Sequence, residues 1–125
     1  MTDDNFNDLI TKAMNELPQD YIKGLDNVAI VMSDYPSEEQ RLVAKVDHNA
    51  SLLLGLYEGI PLTKRTGNYN FVLPDKITLF KNSLLEISKD ESELFENIKR
   101  TLWHEIAHYY GLGHDGIDRL QSKHK

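Results

Sequence analysis

Residues 104–115 read His-Glu-Ile-Ala-His-Tyr-Tyr-Gly-Leu-Gly-His-Asp, and that stretch leaves the chain few ways to fold. On an α-helix, residues four apart lie about 40° apart around the axis, so His104 and His108 aim their rings at one point. Two imidazoles meeting at a point suit a borderline-soft metal such as zinc, whose catalytic sites take three protein ligands and leave one position open. Glu105, about 100° further round the helix, falls beside that point, where a carboxylate can accept a proton from water made acidic by the metal. Gly111 supplies a residue able to enter the left-handed conformation that ends a helix. His114 then returns within reach of the same ion, giving the spacing H-E-x-x-H-x-x-G-x-x-H. Asp115 and Asp118 compete for that third position, or for a hydrogen bond that orients a histidine ring. The plainer alternative is a helix with two surface histidines. It leaves the glutamate, the glycine and the third histidine unexplained.

The same helix carries an apolar side at Phe95, Leu102 and Ile106, and a polar side at Asn97, Thr101, His104 and His108. Asp90-Glu91-Ser92-Glu93 opens it, with acidic groups at the positive end of the helix dipole. A core face and an open polar face are expected.

The rest of the chain reads as an α+β domain of 125 residues with no second domain, internal repeat or linker. Phe6, Leu9, Ile10, Ala13, Met14 and Leu17 recur at helical spacing until Pro18, predicting a first amphipathic helix of about twelve residues. Residues 25–33 read as a strand, in which Val28, Ala29, Ile30, Val31 and Met32 form a short, nearly continuous apolar run that suits a buried position. Ser37-Glu38-Glu39-Gln40 has the form of a capping box for a short helix towards Val46. His48, alone near its end, reads as a surface residue. Further strands are expected at 52–57 and 77–80, turns at 66–70 and 74–75, and a short helix around Leu84, Leu85 and Ile87.

Charge narrows the function. The 20 acidic against 14 basic residues give a net charge of −6, which argues against nucleic-acid binding as the main task. No run approaches the roughly eighteen apolar residues of a membrane span, and the acidic start lacks the basic segment of a signal peptide, so a cytoplasmic location is expected. With no cysteine in the chain, disulfides, thiolate zinc sites and a thiol nucleophile are excluded.

Together with Leu56-Tyr57-Glu58-Gly59-Ile60-Pro61-Leu62-Thr63 and Leu73-Pro74-Asp75-Lys76-Ile77-Thr78-Leu79-Phe80, the motif resembles the small bacterial zincin-like metallopeptidases from about Leu17 onward. That resemblance implies a minimal zincin fold: a small mixed sheet packed on helices, with the metal helix near the C-terminus. It also implies one Zn2+ ion on His104 and His108, with Glu105 as general base. Family members often close the motif with Asp, whereas this chain has His114 followed by Asp115, so the third ligand lies between those two. The motif is also similar to that of the metzincin endopeptidases, but their methionine turn lies downstream, and Met1, Met14 and Met32 all precede the motif.

Eleven residues follow His114, too few for the lower wall of a larger zincin cleft, so a half-open cleft is expected, with a partner chain as one way of completing it. The expected activity is hydrolysis of a peptide or protein substrate. Strand 77–80 is the expected sheet edge for an extended peptide. Tyr57, Tyr69, Tyr109 and Tyr110 are candidates for polarising its carbonyl, against their ordinary packing role. Two other readings share the spacing. One is a metal-holding regulatory or interaction module without significant turnover. The other is a metal-dependent single-strand endoribonuclease resembling one of ribosomal RNA maturation, against which Glu105 and the acidic balance both speak.

Overall fold

In a computed structural model, which describes residues 1–48, 53–61 and 74–112, the helix carrying the motif is the longest element and most of the others pack around it. The chain runs α1 (Asp3–Glu16), α2 (Gln19–Lys23), β1 (Val28–Ser33), α3 (Glu38–His48), β2 (Gly55–Glu58), β3 (Asp75–Phe80), α4 (Lys81–Ile87) and α5 (Glu91–Tyr109). This is an α+β arrangement around a small mixed sheet.

Helix α1 starts where the Thr2 hydroxyl accepts from the Asn5 amide at 3.1 Å, and it stops before Pro18, which has no N–H to continue the ladder. Its Phe6, Ile10 and Ala13 lie one turn apart and are buried. The Gln19 side-chain amide donates to the Met14, Asn15 and Leu17 carbonyls, satisfying acceptors that the end of the helix leaves open. Helix α2 follows at once. Its five residues are too few to show a periodic pattern, so nothing in the sequence announced it.

The sheet order is β1-β3-β2, with β1 parallel to β3 and β2 antiparallel to it. Strand β3 is therefore central, and the expectation that 77–80 forms a sheet edge is corrected: β1 and β2 are the outer strands. The weak alternation of β3 has the same cause, since Ile77 and Leu79 face one layer while Thr78 and Phe80 face another, and all four are buried. Strand β1 is also shorter than the expected 25–33 and more open than its apolar run implies. It begins at Val28, after Asn27 turns the chain with φ 57°, and Val31 is 37% exposed. An outer strand has a neighbour on one side only, so apolar composition alone does not bury it.

Helix α3 opens on the expected capping box, with the Gln40 amide donating to Ser37 Oγ at 3.1 Å and the Ser37 amide donating to Gln40 Oε1 at 2.9 Å. Its Ala44 packs with Leu56 and Phe80 on one face of the sheet. The opposite face joins Ile77 and Leu79 to α1, to Leu84 of α4 and to Leu94, Ile98, Leu102 and Ile106 of α5. Phe95, expected in the core, is only partly buried, and the ammonium groups of Lys12 and Lys99 lie 4.9 and 5.5 Å from its ring centre. Among the described residues, no helix is long and apolar enough to cross a membrane.

The polar side of α5 is not fully open, because β2 runs along it. Thr101 is buried, and a Cβ on Gly55 would stand 2.7 Å from Thr101 Cγ2, 3.2 Å from Leu79 Cδ2 and 3.2 Å from the Thr78 carbonyl oxygen. Close approach of strand to helix thus requires glycine at position 55. Gly55→Ala is expected to destabilise the chain by about 1–3 kcal/mol, read by urea unfolding, and removal of the obstructing methyl by Thr101→Ser recovers part of that loss.

Candidate metal centre

Helix α5 begins where the Asp90 carboxylate accepts from the Glu93 amide at 2.8 Å. It ends as the sequence predicts, with Gly111 at φ 77°. The Gly111 amide donates to the His108 carbonyl at 2.9 Å and the Leu112 amide donates to the Ala107 carbonyl at 3.0 Å, the paired bonds of a Schellman turn. Two phenols fasten this last turn to α2 and to the connection that follows it. Tyr110 donates to the Tyr21 carbonyl at 2.6 Å, and the buried Tyr109 hydroxyl accepts from the Asp26 amide at 3.2 Å.

Within this rigid segment, His104, Glu105 and His108 bring one potential ligand atom each to within 4.8 Å of one another. The two imidazole centroids are 4.6 Å apart with their planes at 66°. Both rings are partly open to solvent, while Glu105 is 5% exposed. Two half-open imidazoles beside a carboxylate form a donor set that fits a divalent metal of the zinc type.

A carboxylate that is nearly out of water needs hydrogen-bond donors. Glu105 Oε1 accepts from the Tyr57 amide at 2.9 Å and lies 3.3 Å from His108 Nδ1. The first contact follows from strand pairing. The Phe80 amide donates to the Leu54 carbonyl, and Leu56 and Glu58 stand opposite Thr78 and Lys76. In an antiparallel ladder the alternate residues, here Gly55 and Tyr57, turn their backbone groups away from the partner strand. The Tyr57 amide consequently leaves the sheet edge in the direction of α5.

The tyrosine candidates fare differently. The Tyr57 phenol donates to Asp75 Oδ2 at 2.6 Å and its ring meets that of Tyr109 edge-on at 6.1 Å. With Tyr109 and Tyr110 held as described, all three phenols have structural partners. Tyr69, His114, Asp115 and Asp118 lie outside the described residues, as does the His48 side chain. What sequence reasoning missed is the Tyr57 backbone amide, because a main-chain donor carries no residue signature. The Asp75 carboxylate was missed with it. It reads as a turn residue in Pro74-Asp75, yet it is 3% exposed at the start of the central strand.

Residues 25–124 match the zincin-like metallopeptidase family, and the chain belongs to it. Among solved structures, a conserved hypothetical protein from Thermo thermophilus superposes with a TM-score of 0.55 at 22% identity, over 98% of this chain and 99% of that one. At that identity the likeness speaks for the fold. No curated protein matches the sequence.

The Tyr110 phenol gives this region a pH dependence. Burial raises its pKa above the ordinary value, and the neighbouring Tyr109 and Tyr21 add to the shift. A phenol whose folded pKa is raised contributes stability that is complete below about pH 10 and is lost as pH climbs through the folded pKa. Tyr110→Phe is therefore expected to be less stable by about 1 kcal/mol at neutral pH, through loss of the bond to Tyr21. Its disadvantage should shrink above about pH 10, as read by unfolding midpoints across the alkaline range.

Proposed function

We propose that the chain is a zinc-dependent peptide hydrolase in which His104 and His108 hold the ion and Glu105 moves the protons. One observation carries this reading: Glu105, buried on the same helix turn as two half-open imidazoles, sits against an outer strand. Membership of the family supports a metal-dependent peptidase in general terms. His114 is the proposed third ligand, with Asp115 as the alternative or as a partner orienting a ring.

When bound, zinc supplies Lewis acidity, which polarises a carbonyl and lowers the pKa of water. The chain's own groups do the rest. The four-residue spacing of His104 and His108 sets two imidazoles on one side of the cluster, with His108 Nδ1 3.3 Å from Glu105 Oε1. With Oε1 engaged by the Tyr57 amide, Glu105 keeps its second oxygen to accept a proton from the attacking water and return it to the departing amine. No nucleic acid is involved in this reading.

The test is metal content and peptide hydrolysis on the same purified samples. Wild type is expected to bind one zinc per chain, and His104→Ala, His108→Ala and His114→Ala to lose it, while Asp115→Ala keeps it. Glu105→Gln should retain zinc and lose turnover by about 100-fold or more. Zinc binding with no turnover in wild type, and unchanged biological function in Glu105→Gln, would move the assignment to a metal-holding module. Failure to bind zinc under replete conditions would end the metallohydrolase reading.

A further inference from the structure

Tyr57 is held at three points. Its amide reaches Glu105 Oε1 at 2.9 Å, its phenol reaches the buried Asp75 carboxylate at 2.6 Å, and its ring rests edge-on against Tyr109 in the last turn of α5. These contacts join the outer strand β2, the first residue of the central strand and the helix that bears the histidines. Between Gly55 and Glu58 the strand has only four residues, and its pairing with β3 leaves the Tyr57 amide directed off the edge. So short an outer strand has little pairing of its own to hold it in place. A 2.6 Å side-chain bond from within it to a carboxylate that is 3% exposed is a strong constraint, because a short bond to a buried acceptor is shielded from competition by water.

We infer that Tyr57, anchored through its phenol to Asp75, is a positioning residue that sets the orientation of the Glu105 carboxylate through its backbone amide. A carboxylate held on Oε1 by a fixed donor presents its other oxygen in one direction. Loss of the phenol anchor lets β2 move relative to α5, and the donor moves with it. Displacements of about 1 Å are enough to slow a proton transfer that depends on geometry. The catalytic part of this inference rests on the reading of Glu105 as the proton acceptor, whereas the Tyr57–Asp75–Glu105 linkage itself does not.

Two measurements separate those parts. In amide hydrogen exchange of the full 125-residue chain, Tyr57→Phe and Asp75→Ala are expected to speed exchange of the residue-57 amide by about tenfold or more. The Phe80 amide, bonded to Leu54 within the sheet, should change by less than about twofold. Asp75→Asn, which keeps an oxygen acceptor for the phenol, should restore most of the protection. Equal acceleration at residues 57 and 80 would reduce Tyr57 to a general stabiliser, and an unchanged residue-57 amide would remove the linkage altogether. On the zinc-loaded chain with a cleaved peptide, Tyr57→Phe should lower kcat by about tenfold with KM within about twofold. A changed KM at constant kcat would overturn the positioning role. If wild type cleaves nothing, the hydrolase reading and the catalytic half of this inference fall together, and the exchange result still decides the linkage.

Discussion

A carboxylate withdrawn from water is the group on which the rest of this structure turns. Glu105 is almost completely covered, and the free energy of covering an unpaired carboxylate would be several kcal/mol. Its donors must come from close by and must be held still. One is a backbone amide of β2, contributed from 48 positions earlier in the chain. The ring of His108, one turn further on along the same helix, lies 3.3 Å from the same oxygen. Cover, strand placement and ring orientation are thus linked through one side chain, and none of the three can change alone.

The contact between β2 and α5 has a repeat that explains why it accommodates the motif. Gly55 lies against Thr101 and the Tyr57 amide against Glu105, a step of two along the strand for four along the helix. Two residues of strand rise about 6.6 Å and four residues of helix about 6.0 Å, so a strand running beside a helix meets every fourth helical position with every second residue of its own. The histidine pair also repeats at four. The strand therefore follows the row through 101 and 105, and the Tyr57 ring reaches on to Tyr109, while His104 and His108 on the adjacent row stay partly open to solvent. Glycine at 55 lets the two backbones approach closely enough for the amide of 57 to reach a side chain only two methylenes long.

This geometry also shows which features the sequence could disclose. Local signals were legible: the acidic opening of α5, the Ser37–Gln40 box, the stop at Pro18 and the left-handed turn at Gly111 all depend on residues within a few positions of each other. The convergence of His104, Glu105 and His108 was legible for the same reason, since a helix fixes their relation. Strand order was not. The run at 28–33 is more apolar than β2, yet β1 is an outer strand, and β3 lies between two strands that are far from it in sequence in one case and nearer in the other. Hydropathy reports how much of a strand is covered, not which neighbours cover it. Thr101 was misread on the same account, for a polar helical row looks open until another element is laid along it.

The end of α5 is where local and distant constraints meet. A Schellman turn sets the path of the backbone for only two residues past the helix, and by itself it leaves the helix able to rotate about its axis or slide along it. Tyr109 and Tyr110 remove that freedom, since one phenol meets the Asp26 amide, on the stretch that leads from α2 into β1, and the other the Tyr21 carbonyl in α2 itself. Tyr21 in turn packs edge-on against Tyr110 and Trp103, at 5.2 and 5.3 Å, next to His104 in sequence. The direction in which the chain leaves Gly111 is thus set by residues far upstream, before the sheet begins. Under the proposed function, a third ligand drawn from beyond that turn would start from a fixed point, and so would lose less conformational entropy on reaching a metal than a residue on an unanchored tail.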